Sequence, residues 1–169
     1  ESFETVSFAN NKIYTLKEDR EGNIWAGTWG GGLFRYNPDR KSTQRFQNDQ
    51  ENPDSISHDV IYSIYQDEAG LLWIGTNGNG VNKLNTRKRN YRAFHHDPNN
   101  PHGLNMGKIY SILEDSRKDL WIGIYNGGVN RFDPEKNRML RYSRDPSDPN
   151  SLSNDIVNYI YEDSREDIW

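Results

Sequence analysis

The sequence predicts an all-β chain, an arc of four-stranded antiparallel blades, about three and a half of them, with a repeat period of 48 residues. Three observations carry that prediction. Trp25, Trp73, Trp121 and Trp169 stand 48 residues apart. The first three sit in one recurring phrase, "NIWAGTWGGG", "LLWIGTNGNG" and "DLWIGIYNGG", and the fourth ends a truncated copy, "DIW". No 3.6-residue apolar period appears anywhere, which excludes the helical solenoids that also repeat at this length. Further columns share the period: Asp19, Asp67, Asp115 and Asp163; Gly27, Gly75 and Gly123; Gly32, Gly80 and Gly128; Phe46, Phe94 and Tyr142. Four short strands recurring every 40 to 50 residues describe a β-propeller blade. The blades fall at about 12–59, 60–107 and 108–155, with a truncated fourth at 156–169.

Within the second repeat the elements read in order. Strand A is "VIYSIYQD", with Ile61, Ser63 and Tyr65 on one side and Tyr62 and Ile64 on the other, as in a strand covered on both faces. Strand B is "LLWIGT", strand C "GVNKLN" and strand D "NYRAFHH". The connections are rich in Gly, Asn, Asp and Pro, the residues of tight turns. The glycines of "LLWIGTNGNG" are expected in the B–C hairpin, where positive φ is needed. A phosphate cradle would need a helix after them, and Gly80 opens a strand instead. The tryptophan is expected to wedge between blades. Each aligned aspartate should cap its A–B turn by accepting backbone N–H bonds.

Composition narrows the function. Hydrophobic residues make up 33%, charged residues 27% and aromatic residues 12% of 169. Mean hydropathy is −1.05. Such a polar chain still folds when its aromatic residues are regularly placed. The net charge of −4 and the absence of a basic stripe argue against nucleic acid as a partner. Arg87, Lys88 and Arg89 form one short basic run, read as a solvated turn. The lack of cysteine excludes disulfides and thiol catalysis. No apolar run approaches the ~18 residues a membrane span needs, so this chain is expected to make no membrane contact. The end at Trp169, mid-blade, predicts a fragment that meets the remaining blades of a parent propeller or self-associates.

Candidate binding residues lie where the repeats differ. In a propeller the B–C and D–A connections emerge on one face, and variable residues there are available for recognition. The B–C tip carries Trp29, Asn77 and Tyr125, and the D–A loops carry His58 and His102. Aromatic rings beside amides suit a sugar, whose apolar face stacks on the ring while its hydroxyls meet polar groups. His95, His96 and His102 with Asp97 could in principle hold a metal, but adjacent strand residues point oppositely, so no metal site is expected. The aspartates stand one per blade and cannot pair for acid–base chemistry. No catalytic constellation and no cofactor are predicted.

The pattern D-x-x-G-x-x-W-x-G-T-x-x-G-G is complete in Asp19, Gly22, Trp25, Gly27, Thr28, Gly31 and Gly32. Together with "SLSNDIVNYIYEDS" it resembles the two-component regulator propeller repeat. Lys118 and Glu166 depart from the pattern at its first glycine, and Ile124 at its threonine. The resemblance implies the periplasmic, ligand-sensing part of a hybrid two-component histidine kinase that responds to an oligosaccharide and controls polysaccharide-use genes. This chain would then be no enzyme itself. Quinoprotein propellers share D-x-x-G-x-x-W but lack the W-x-G-T-x-x-G-G continuation, sialidase Asp boxes are one residue shorter, and Kelch repeats put the double glycine before the tryptophan. A propeller glycosidase or polysaccharide lyase, or a protein-interaction propeller, stands as the alternative.

Overall fold

The computed structural model describes residues 12–86, 90–133, 136 and 138–169; the basic run Arg87–Arg89 lies outside them. Three four-stranded antiparallel sheets follow one another along the chain. Blade 1 holds β1 (Ile13–Glu18), β2 (Ile24–Thr28), β3 (Leu33–Asn37) and β4 (Ser42–Phe46). Blade 2 holds β5 (Ile61–Gln66), β6 (Leu72–Thr76), β7 (Val81–Asn85) and β8 (Asn90–Phe94). Blade 3 holds β9 (Lys108–Glu114), β10 (Leu120–Tyr125), β11 (Gly128–Asp133) and β12 (Arg138–Tyr142). In each sheet the spatial order is the sequence order. Residues 156–169 begin the same pattern, with Tyr161 and Trp169 exchanging backbone hydrogen bonds at 3.0 and 2.8 Å.

The second strand of each blade shows why so polar a chain has a core. Along β6, Leu72 and Ile74 point toward blade 1, and Trp73 points toward blade 3. Two cores result, one between each pair of blades. Trp25 and Leu33 meet Ile56, Ile61, Ile64, Leu72, Ile74 and Leu84 in the first. Trp73 and Val81 meet residues of blade 3, among them Ile109, Ile122 and Phe132, in the second. Trp25 and Trp73 thus wedge between blades, as their recurrence predicts. Neighbouring blades also touch along their first strands, β1 on β5 and β5 on β9. That is the convergence expected at a propeller axis.

The alternation read for strand A does not hold. Pairing of the first strand with the second slips at one equivalent residue in every blade: Tyr14, Tyr62 and Tyr110 stand unpaired in a β-bulge. The extra residue reverses the phase of the side chains. Ile61 and Ile64 therefore both face blade 1. Ser63 instead donates to the Ile109 carbonyl at 3.1 Å, and Tyr65 packs into the core shared with blade 3.

The glycine reading needs one correction as well. Gly78 (φ +81°) and Gly80 (φ +78°) do occupy the hairpin in the left-handed region. Gly75 lies inside β6, and its missing side chain serves the blade interface. A Cβ there would lie 2.6 Å from Ile109 Cγ2 and closer still to the Ser63 hydroxyl.

Candidate functional site

On the A–B side, each turn is built around its aspartate. Asp67 Oδ1 accepts the Leu71 amide at 2.8 Å, and Oδ2 accepts the Trp73 indole N–H at 2.8 Å. Asp19 serves Asn23 and Trp25 in the same way, and Asp115 serves Asp119 and Trp121. The aspartates do cap their turns, and they also fix the indoles, a bond that spacing alone does not reveal. Each indole is stacked on the aromatic residue of the fourth strand, Trp25 on Phe46, Trp73 on Phe94 and Trp121 on Tyr142. A cation from the third strand covers the ring: Arg35, Lys83 or Arg131. Adjacent turns are latched together. Gln66 accepts the Arg20 amide, Glu114 the Glu68 amide and Glu162 the Ser116 amide. The aspartates, indoles and latch residues named here are thus engaged in holding the turns and blades together.

The opposite rim joins the B–C tips to the D–A loops. The amides of Gly30 and Gly32 both donate to the Asp59 carbonyl, and those of Gly127 and Gly128 to the Asp155 carbonyl. Ser57 and Asn79 exchange hydrogen bonds at 2.9 Å. Trp29, Asn77 and Tyr125 occupy equivalent places on this rim, each bridged to the start of the next repeat, at Val60, Lys108 and Ile156.

Here the tyrosine bulges matter. Trp29 stacks on Tyr14 at 5.4 Å and meets Tyr62 edge-on at 5.9 Å. Tyr62 lies 4.7 Å from Tyr110, and Tyr110 lies 5.5 Å from Tyr125. The structure thus brings Trp29 and Tyr125 into one continuous row of rings across three blades. Asn77 stands at the tip between them, its amide donating to the Val60 carbonyl at 3.2 Å. Lys108 covers the outer ring, with Nζ 5.6 Å from the Tyr125 centroid. Exposure is graded along the row: Tyr14 is 55% exposed, Trp29 39% and Tyr62 only 8%. Burial, with the Tyr110 and Tyr14 phenols beside it, pushes the Tyr62 phenol up to about 12. A row of phenols with exposed ring faces at one end offers stacking area and hydroxyl groups together. Tyr14, Tyr62 and Tyr110 form a column in the sequence; only the bulge turns that column toward the rim.

The two histidines do not join the row. His58 Nδ1 accepts the Val60 amide at 2.8 Å, a local cap that places the ring proton on Nε2. His102 lies exposed in the loop turn, its amide donating to Asn100 Oδ1. His96 Nδ1 donates to the Leu104 carbonyl at 2.8 Å, which commits it to the loop. Among the described residues no three His, Asp or Glu side chains come together as a metal site.

The profile of the two component regulator propeller family matches residues 7–30, 55–78 and 103–126, starting 48 residues apart. Each match ends at a B–C tip. No curated protein matches the sequence. Among solved structures, the chain is similar to the extracellular domain of a B. thetaiotaomicron protein assigned to a hybrid two component system. Identity is 23% and the TM-score 0.76, over 96% of this chain and 20% of that one. A second such domain from B. thetaiotaomicron aligns at 17% identity and a TM-score of 0.55, over 100% of this chain and 33% of that one. Virginiamycin B lyase from Staphylococcus aureus aligns at 17% identity and a TM-score of 0.65, over 97% of this chain and 50% of the lyase. The chain spans about a fifth of the first of these. Extracellular domains and a lyase share the blade, so these likenesses speak for the fold. The chain carries the two component regulator propeller repeat three times, once in each four-stranded blade of a β-propeller fold.

Proposed function

We propose that this chain is part of the extracytoplasmic, ligand-sensing propeller of a hybrid two component system, and that it takes an oligosaccharide on the ring row Trp29–Tyr14–Tyr62–Tyr110–Tyr125. The repeat family supports the sensor, and the row supports the ligand. A flat saccharide face stacks on the exposed Trp29 and Tyr14 rings, and its hydroxyls reach the phenols and the amides of the adjoining loops. The row crosses three blades, so an extended ligand lying along it contacts all of them and favours one blade arrangement over another. The parent protein would be an inner-membrane histidine kinase with this propeller in the periplasm.

The test is titration of the chain with neutral oligosaccharides, followed by tryptophan fluorescence and calorimetry. Binding should perturb Trp29, and Trp29→Ala or Tyr125→Ala should weaken it by about tenfold, the loss of one stacked ring. Binding unchanged in both variants removes the row as the site. Cleavage of a bound saccharide would replace the sensor reading with the enzyme alternative.

A further inference from the structure

Blade 1 carries a guanidinium that its own repeat leaves without an acid. In blade 3 the equivalent Arg131 donates through Nε to Asp119 Oδ2 at 2.7 Å and through Nη2 to the same oxygen. In blade 2 both partners change together: Leu71 replaces the acid, and Lys83 sits 4.7 Å over the Trp73 ring. In blade 1 the arginine is kept as Arg35, but Asn23 stands in the acid's place. The Asn23 side chain is fully engaged, with Nδ2 donating to both Asp19 carboxylate oxygens at 3.0 and 2.9 Å and Oδ1 accepting from Asn37 at 2.8 Å. Arg35 lies 5.7 Å over the Trp25 ring, and its buried Nε has no hydrogen-bond partner among the described residues. A buried donor left unpaired is a standing cost that an incoming acceptor relieves.

Arg35 opens onto a cavity of about 370 Å³ that it lines with Asn37, Asp39, Arg40, Ser42 and Gln44. Cross-strand pairing of Arg35 with Gln44 and of Asn37 with Ser42 sets these four side chains on one face of the sheet. The chemistry is divided. Two guanidinium groups offer the planar fork that holds a carboxylate. The Gln44 amide and the Ser42 hydroxyl suit the hydroxyls of a small ring, and a volume of this size holds one. Asp39 can accept from such a hydroxyl, and its charge disfavours a doubly charged phosphate.

We infer that this cavity is a second binding site, for a carboxylate carried on a hydroxylated ring, that is, a uronate. The saccharide half of the inference rests on the sensor reading above; the carboxylate half rests on Arg35, with Arg40 beside it.

The experiment is calorimetric titration of the chain with glucuronate, galacturonate, acetate and glucose, repeated on Arg35→Met, Arg40→Ala and Trp29→Ala. Uronates should bind more tightly than acetate, and glucose should fail at the same concentration. Arg35→Met should weaken uronate binding by roughly tenfold to a hundredfold, the loss of a charge-assisted pair. Arg40→Ala, on an exposed residue, should weaken it by a smaller factor and keep the fold. Trp29→Ala should leave uronate affinity unchanged, so failure of the ring row and failure of this cavity read out separately. Uronate binding no tighter than glucose, or equal in the wild type and the Arg40 and Arg35 variants, overturns the site. Acetate binding as tightly as the uronates overturns the saccharide half.

Discussion

Asp67→Ala is the substitution whose cost follows most directly from the geometry. Asp67 is 6% exposed and Trp73 2% exposed. The carboxylate accepts two hydrogen bonds at 2.8 Å, one from the Leu71 amide and one from the Trp73 indole. Truncation removes both acceptors and leaves a buried N–H facing a void too enclosed for free hydration. A hydrogen bond to a charged group contributes about 1.5–3 kcal/mol, so losing the pair should cost about 3–5 kcal/mol after allowing for their coupling. Domains of this size are stable by only about 5–15 kcal/mol, so the variant should sit near the edge of folding. Urea denaturation followed by tryptophan fluorescence gives the value. Asp67→Asn keeps one acceptor and should fall between the two. The internal control is Asp163→Ala, which breaks the same bond to Trp169 at 3.1 Å. Trp169 is 70% exposed, so water replaces the carboxylate there and the midpoint should hardly move. A cost below about 1 kcal/mol for Asp67→Ala, or an equal shift at Asp163, would refute the reasoning.

Two further outcomes follow from the blade interface and the ring row. Gly75→Ala puts a methyl against Ser63 and 2.6 Å from Ile109, and should cost about 1–3 kcal/mol by overpacking. Gly78→Ala meets nothing within 4 Å and carries only the strain of φ +81°, about 1 kcal/mol; equal costs, measured by urea denaturation, would mean that the blades do not press on Gly75. Because the Tyr62 phenol is raised from 10.0 to about 12, the folded state holds its proton more tightly than the unfolded chain. That stability is complete below pH 10 and is lost as pH climbs toward 12. The urea midpoint should therefore drop across this interval, and Tyr62→Phe should flatten the drop; an unchanged slope in the variant would place the titration elsewhere.

Much of the architecture is legible in the residues alone. The tryptophan column, the turn aspartates and the hairpin glycines all report local or within-blade geometry, and local geometry repeats wherever the sequence does. Trp29, Asn77 and Tyr125 could be placed on one rim for the same reason. Several of the hydrogen bonds between neighbouring blades join residues 46 to 49 apart, such as Glu68 with Glu114 and Ser111 with Ile160, and no local pattern encodes them. Period-2 alternation assigns Ile61 and Ser63 to one face, but the bulge at Tyr62 sends them to different blades and collects the tyrosines beside Trp29. Gly75 looks like a turn residue and proves to be the seat of the next blade's Ile109. Nothing in the sequence sets Arg35 apart; its unpartnered Nε stands out only beside the Arg131–Asp119 pair. The repeat by itself determined the four-stranded blades and their order along the chain. Only packing decided which faces meet, because a one-residue slip changes a side chain's neighbours without changing its place in the repeat.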